Sequence, residues 1–139
     1  MRHGPAQFQA LISGHDVRVH TVFDRYFATQ IESTAVDYRY AVLEGLSAEM
    51  SPVDLPPAVA DACIKIARDF DLLIAGIDLK RTAQGDYFCF EVNPSPGFLY
   101  YEHGTGQPIS AALAELLHQG RPSSCRQRAE HFLKGAHHD

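Results

Sequence analysis

Hydrophobic and polar residues alternate along the first third of the chain, a pattern typical of half-buried strands. A half-apolar run over residues 7–12 is closed by a Ser-Gly pair, and residues 17–23 then follow a period of two. A tight turn at 24–25 and a further strand over 26–31 predict an antiparallel hairpin. The polar stretch 32–37 predicts a loop.

The periodicity changes after a proline-rich connector over residues 52–57. Apolar residues then recur at helical spacing, which predicts a helix over 58–70 with one buried face formed by Val59, Cys63, Ile66 and Phe70. An apolar strand over 72–79, a turn at 83–86 and a return strand over 87–92 predict a second hairpin.

The last part of the chain combines an irregular segment with a helix. Two prolines and a glycine make residues 93–97 irregular. A final helix is predicted over 108–118, with an inner face of Ile109, Leu113, Leu116 and Leu117. The tail from residue 120 is polar and predicts at most a short helix over 129–133. The whole pattern predicts an α+β fold, an antiparallel sheet with helices packed on one face.

Length and composition narrow the class of protein. A chain of 139 residues, 45% hydrophobic and 21% charged, fits one soluble globular domain. No apolar run is long enough to cross a bilayer and the polar start is no signal peptide, so we expect a cytoplasmic protein without a membrane partner. The net charge of −5 argues against nucleic-acid binding.

Cysteine and histidine residues form no metal-binding motif. Cys63, Cys89 and Cys125 are widely spaced, with no CxxC pair, and the eight histidines include neither HxxxH nor HExxH. We therefore expect free, buried thiols in a reducing cytoplasm.

Two carboxylates face each other across the predicted second hairpin. If the hairpin is regular about residues 84–85, Asp78 lies opposite Glu91, Asn93 shares their face, and Phe90 points to the other. Opposed Cβ atoms lie about 5 Å apart, so the carboxylates repel unless a cation binds between them. Oxygen ligands alone favour Mg²⁺ or Mn²⁺, and so few of them leave coordination positions for phosphates. The alternative, acids that simply face water, stays open at this point.

The motifs themselves resemble a known family. The segment AGIDL at 75–79 followed by FEVNPSPG at 90–97 is similar to the C-terminal signature of ATP-grasp enzymes. The closest resemblance is to RimK-type carboxylate–amine ligases, which include enzymes that modify ribosomal proteins or cyclise ribosomal peptides. QALI at 9–12 with GHDVRV at 14–19 resembles the adenine hinge and following strand, and DYR at 37–39 resembles the phosphate-side arginine motif.

The resemblance implies a metal and phosphate site. Asp78, Glu91 and Asn93 match the family's magnesium ligands, which agrees with the hairpin geometry. Arg39 matches the catalytic arginine that faces the terminal phosphates and the acyl phosphate. Positioning and charge neutralisation supply most of the catalysis in phosphoryl transfer, and cations and an arginine provide both.

The resemblance also implies nucleotide contacts. The backbone of Ala10 and Leu11 matches the segment that binds the adenine edge, and Asp16 matches a residue near the ribose. Arg18 lies on the same strand, as a nucleotide ligand or as one member of a structural ion pair. The sequence departs from the family at Ala10, where relatives carry glutamate, and after Arg39, where an asparagine is missing.

A larger departure is the length of the chain. Similar enzymes carry an N-terminal domain and a lid with phosphate-gripping lysines, and Arg2 and Lys80 are poor substitutes for them. We therefore expect residues 1–119 to be the C-terminal ATP-grasp subdomain and 120–139 a polar tail. We expect this subdomain to be incomplete as a standalone enzyme.

The sequence therefore predicts the ATP- and metal-binding part of an ATP-dependent carboxylate–amine ligase, with ATP and Mg²⁺ or Mn²⁺ as cofactors. Its partners would be a carboxylate substrate and an amine acceptor, either a small molecule or a peptide. One alternative is a non-catalytic remnant that self-associates or binds a missing half through an open sheet edge. Another is an ATP-grasp kinase that stops after phosphoryl transfer.

Several further residues carry two interpretations or a packing role. Glu102 either positions an amine or caps a helix, and His20 either approaches a substrate or lies on the sheet surface. Phe88, Phe90 and Phe98 are predicted to pack in the core.

Overall fold

A computed structural model describes residues 10–33 and 48–120 of the chain. Within these ranges the strands are β1 (His15–Val22), β2 (Arg25–Ser33), β3 (Ala48–Pro52), β4 (Ile74–Arg81) and β5 (Tyr87–Asn93). The helices are α1 (Pro57–Asp69), α2 (Leu99–Thr105) and α3 (Ile109–Gln119). The strands form one antiparallel sheet in the order β3-β2-β1-β4-β5. None of these helices is long and apolar enough to span a membrane.

The first predicted hairpin is confirmed as β1 and β2. Val22 pairs with Arg25, so the turn consists of Phe23 and Asp24 and lies one residue earlier than predicted. Phe23 has a positive φ of 56°, and its backbone N–H donates to the carbonyl of Leu73. Of the run predicted over 7–12, the part from Ala10 onward forms no strand before β1 begins.

Two elements were not predicted, and both depend on tertiary contacts. The sequence of β3 shows no clear alternation, and the strand exists because it pairs with the outer edge of β2. Helix α2 is only seven residues long and ends at Gly106, which has the left-handed φ of 72°. At Gly104 a Cβ would lie 2.4 Å from the terminal carbon of Met50, so α2 packs directly against β3.

The predicted helix over 58–70 is confirmed as α1, with Pro57 at its first turn. Its buried positions are Ala60, Cys63 and Ala67, whereas Phe70, predicted to be in the core, is 67% exposed. Helix α1 covers the sheet face whose buried residues include Val17, Val19, Ala28, Ile77 and Leu79.

The helices lie on both faces of the sheet, which differs from the expectation of one covered face. Side chains alternate along a strand, and Val22 of β1 points away from Val17 and Val19. It packs with Ile109, Ala112 and Leu116 of α3 in a second apolar cluster. Leu117, predicted to be on the inner face of α3, is 72% exposed. The α+β class and the antiparallel sheet are confirmed.

The two described cysteines are free thiols, as expected, but the expected burial is wrong for Cys89, which lies on the edge strand β5. Cys63 is buried on α1 and Cys89 is exposed on β5. Burial raises the pKa of Cys63 to about 11 and also raises that of Cys89, so both stay protonated at neutral pH. The third cysteine, Arg2, Arg39 with its neighbours and the tail from 121 onward lie outside the described residues.

Candidate functional site

The face opposite α1 carries a ladder of polar residues, which we call the polar face. Three alternate pairs between β1 and β4 lie on it: Asp16 opposite Lys80, Arg18 opposite Asp78, and His20 opposite Gly76. Every second residue of each strand points to this face, so the same alternation that builds the apolar core also aligns these polar groups.

The predicted pairing of Asp78 with Glu91 is confirmed, but the hairpin is not regular. Near the turn Leu79 pairs with Cys89, whereas one step further Asp78 pairs with Glu91, so Phe90 is an extra residue in β5. This β-bulge determines that Glu91 lies on the same face as Asp78. Without it, the register set at the turn would pair Phe90 with Asp78 and would turn Glu91 to the α1 face.

The turn after β5 fixes the third predicted ligand. Asn93 pairs with Gly76 and therefore shares the face of Glu91. Its side-chain Oδ1 accepts a hydrogen bond of 2.8 Å from the backbone N–H of Ser95. An amide oxygen has two lone pairs, so this bond orients Asn93 and leaves acceptor capacity for a cation.

Arg18 forms the central ion pair of the polar face. Its Nη1 donates to both carboxylate oxygens of Asp78 at 2.8 Å, and the arginine side chain is 7% exposed. The guanidinium lies 5.6 Å from the ring centre of Tyr101. A Cβ on Gly76 would lie 2.3 Å from Nη2 of Arg18 and 2.7 Å from Cβ of Pro96, so only glycine leaves room for both.

A second ion pair lies one rung away. Nζ of Lys80 is 2.8 Å from Oδ1 of Asp16, and both side chains are largely shielded from solvent. Asp16, which the resemblance assigns to the ribose region, is therefore the ion-pair partner of Lys80, a poor substitute for the family's phosphate-binding lysines.

His20 is fully buried beneath the turn and α2. Its Nε2 lies 3.2 Å from the carbonyl oxygen of Gly97, and its ring contacts that of Tyr101 in a tilted arrangement, with 4.8 Å between the ring centres. Burial away from water and the positive charge of Arg18 lower the pKa of His20 from 6.5 to about 4. The ring is therefore neutral at pH 7. The expectation that His20 lies on the sheet surface is wrong, since α2 covers it.

Three other expectations are settled by packing. Phe88 and Phe90 are 44% and 40% exposed, so their predicted packing role is wrong, whereas Phe98 packs partly against the α3 cluster. The carboxylate of Glu102 accepts 2.6 Å hydrogen bonds from the backbone and hydroxyl of Ser110 at the start of α3. These bonds lower the pKa of Glu102 and identify it as a helix-capping residue.

The remaining predicted nucleotide contacts precede β1 or lie outside the described residues. Ala10 and Leu11 precede β1 without regular structure, and Leu11 is 91% exposed. Arg39 lies outside the described residues. The structure therefore brings together Arg18, Asp78, Glu91 and Asn93 on one face, with the Asp16–Lys80 pair beside them.

The donor set fits a hard divalent cation. Two carboxylates and one amide share one face of the β4–β5 hairpin, and such oxygen ligands suit Mg²⁺ or Mn²⁺. The described residues contain no group of three or more His, Cys, Asp and Glu side chains placed to hold a metal by themselves. A cation here would therefore need further ligands, such as water or phosphate oxygens.

Comparison with solved structures shows the same fold in an ATP-grasp ligase and in a macrocyclase. The ligase PsnB, solved with a phosphomimetic variant of its minimal precursor, Mg and ADP, superimposes with a TM-score of 0.62 at 28% identity. The match covers 76% of this chain and 34% of PsnB. The macrocyclase MdnC from Microcystis aeruginosa, bound to precursor peptide MdnA, gives a TM-score of 0.66 at 25% identity, over 79% of this chain and 35% of MdnC.

Sequence comparison gives the same family. A protein of Cellvibrio japonicus (strain Ueda107) named "Probable alpha-L-glutamate ligase" is 32% identical over 119 residues, which cover 84% of this chain and 38% of that protein. The chain thus spans little more than a third of the length of the relatives it matches. The family model of the RimK-like ATP-grasp domain matches residues 6–117. On these grounds the chain belongs to the RimK-like ATP-grasp family.

Proposed function

We propose that this chain supplies the ATP- and metal-binding surface of an ATP-dependent carboxylate–amine ligase. The observation that carries the proposal is the bulged β4–β5 hairpin, which sets Glu91 opposite Asp78 and leaves Asn93 on the same face. Residues 1–119 would form the C-terminal ATP-grasp subdomain and 120–139 a tail. Support comes from the family match and from relatives whose names describe ligases, one of them solved with Mg and ADP.

The polar face would provide two kinds of group, oxygen ligands for a cation and an arginine that interacts with phosphate. Asp78, Glu91 and Asn93 would hold Mg²⁺, which when bound screens the negative charge of the nucleotide phosphates. Arg18 lies beside Asp78 and would add positive charge where charge develops during phosphoryl transfer. Arg39 would face the transferred phosphate from the segment outside the described residues.

The proposed reaction has two steps. A carboxylate oxygen of the substrate attacks the γ-phosphorus of ATP, the bond to the β-phosphate oxygen breaks, and ADP leaves. The amine nitrogen of the acceptor then attacks the acyl carbon, phosphate leaves with the bonding pair, and the nitrogen loses a proton to give an amide. The nucleoside would lie at the end of the polar face that carries the Asp16–Lys80 pair, because α3 covers the opposite end around Val22.

The metal site can be tested with Mn²⁺, whose binding is followed by electron paramagnetic resonance. We expect Glu91→Gln to abolish measurable Mn²⁺ binding and the rise in melting temperature with Mg²⁺ and ATP. A ligand at a hundred times its Kd stabilises the protein by about 2.7 kcal/mol, which is readily seen.

The chain offers a matched control in Glu32 and Glu49, which face each other between β2 and β3. Both are exposed acids opposed across antiparallel strands, so Glu49→Gln removes the same charge at the other edge of the sheet. It should leave Mn²⁺ binding unchanged. Equal losses in the two variants, or unchanged binding in Glu91→Gln, would contradict the proposed metal site.

The reaction class needs a separate measurement. A preparation that contains the remaining part of the enzyme should convert ATP, a carboxylate and an amine to ADP, phosphate and an amide detected by mass spectrometry. A phosphorylated product without an amide would instead indicate a kinase.

A further inference from the structure

We propose that His20 is a positioning residue that holds the turn after β5, and with it Asn93, in the geometry needed for cation binding. This inference rests on the proposed function, because it concerns the same metal site. The hydrogen bond of His20 goes to the backbone of Gly97, so the histidine would act through the backbone of the turn.

The first observation is the hydrogen bond between His20 and Gly97. The Gly97 carbonyl can only accept, so Nε2 of the neutral ring must carry the proton and donate at 3.2 Å. The histidine on β1 is 77 positions from Gly97 in sequence, so this bond ties the far end of the turn to the centre of the sheet.

The second observation is how closely the turn packs on the sheet. Gly76, directly opposite His20 on β4, has no side chain, and Pro96 and the Arg18 guanidinium occupy the space that a Cβ would take. Pro96 is buried, although its neighbours Ser95 and Gly97 are exposed. The turn is therefore fixed at one point by packing and at the next by the His20 hydrogen bond.

The third observation links this fixed end to the ligand. At the near end of the turn, Oδ1 of Asn93 accepts from the backbone N–H of Ser95 at 2.8 Å. The side chain of Asn93 thus takes its orientation from the backbone of the turn, and that backbone is held by His20 and Pro96. Residues that orient metal ligands without touching the metal commonly affect its affinity.

A purely structural role explains less of the arrangement at His20. The ring is fully buried and lies on Tyr101, a place where an apolar side chain would also pack. Its Nδ1 is buried and has no hydrogen-bond partner within the described part of the chain. A buried polar atom without a partner is unfavourable, so burial alone does not account for a histidine here, whereas the donor at Nε2 does.

The test compares His20→Gln with His20→Met. The glutamine Nε2 lies the same number of bonds from Cβ as the histidine Nε2 and can still donate to Gly97, whereas methionine fills similar space without a donor. His103→Met is the matched control, because His103 is an exposed histidine on α2.

Two quantities are measured in each folded variant: Mn²⁺ affinity by electron paramagnetic resonance and the exchange rate of the Ser95 amide proton by NMR. We expect His20→Met to weaken Mn²⁺ binding about tenfold or more and to accelerate Ser95 exchange. His20→Gln should keep both close to the unsubstituted protein, and His103→Met should change neither.

Other outcomes overturn the inference. Unchanged Mn²⁺ affinity or unchanged Ser95 exchange in His20→Met would show that the histidine does not orient the ligand through the turn. Loss of both in His20→Gln would show that the hydrogen bond is not the cause. If the unsubstituted chain binds no Mn²⁺, the proposed metal site fails and the inference fails with it, an outcome distinct from selective failure of the His20 variants.

Discussion

The two faces of the sheet are formed by the same strands, but one buries apolar side chains and the other buries polar side chains with specific partners. The α1 face buries aliphatic side chains such as Val19 and Ile77, which are both fully buried. On the polar face, Arg18, His20 and Thr29 are buried as well, under α2 and α3. Each of these polar residues has a specific partner: Asp78 for the arginine, the Gly97 carbonyl for the histidine, and Gln107 for the threonine.

The difference shows how one sheet can contribute to fold stability on one face and carry the candidate binding site on the other. Burial of apolar surface is non-directional, so the α1 face tolerates small shifts of its side chains. Buried polar groups need defined partners, so the polar face depends on exact register and on the small residue Gly76. Substitutions on the α1 face should therefore affect stability, and substitutions on the polar face should also affect ligand binding.

The largest effect on stability is expected from Ile77→Ala. Ile77 is fully buried against α1, and truncation of a buried isoleucine costs about 2–5 kcal/mol of unfolding free energy. Urea denaturation measures the change. Mn²⁺ affinity, measured where the variant is still folded, should stay close to that of the unsubstituted protein. A loss of binding without a loss of stability would contradict the separation of the two faces.

Acid should lower the free energy of unfolding through protonation of His20 on the polar face. The folded-state pKa of about 4 lies below the ordinary value of 6.5, so the unfolded chain takes up a proton at higher pH than the folded chain. The contribution of the neutral ring is complete above pH 6.5 and is lost as the pH falls through 4, by about 3 kcal/mol. Denaturation curves between pH 7 and 4 measure the loss.

His20→Gln is the control for this acid effect, because glutamine does not titrate. The variant should lose less stability over the same pH range. An equal loss in both proteins would assign the acid sensitivity to the carboxylates.

Gly76→Ala should have a smaller effect on stability and a clear effect on the site. Its Cβ would overlap Arg18 and Pro96, and overpacking of this kind typically costs about 1–3 kcal/mol. Because both neighbours belong to the polar face, Mn²⁺ binding should weaken too. Gly97→Ala is the stability control, since a Cβ there meets no atom within 4 Å. Similar destabilisation by the two alanines would refute the packing explanation.

The smallest effect is expected for Arg25→Ala. Arg25 pairs with Glu115 of α3 at 2.6 Å, but the two side chains are 46% and 53% exposed. Exposed ion pairs contribute about 0–1 kcal/mol. Thermal denaturation at low and high salt should show a shift near the limit of detection. A large loss would mean that ion pairs stabilise this fold independently of burial, contrary to the contrast with the shielded Arg18–Asp78 pair.

Local patterns in the sequence predicted the elements whose residues carry a regular period. Both hairpins, α1 and α3 were recognised from alternation or helical spacing. The edge strand β3 and the short helix α2 were not, because β3 depends on pairing with β2 and α2 packs on that strand. Exposure of Phe70 and Leu117 was missed because a helical period identifies a face but not the width of the surface that covers it.

For the candidate site, the sequence by itself determined the residue types and their order: a strand that carries Asp78, a strand that carries Glu91, and a rigid turn after Asn93. Tertiary structure decided which of them meet. The bulge at Phe90 places Glu91 opposite Asp78. The missing side chain at Gly76 leaves room for both the Arg18 guanidinium and Pro96 of the turn after β5. The physical reason is that side-chain alternation is a local property of the backbone, whereas register, bulges and burial depend on contacts between residues far apart in the chain.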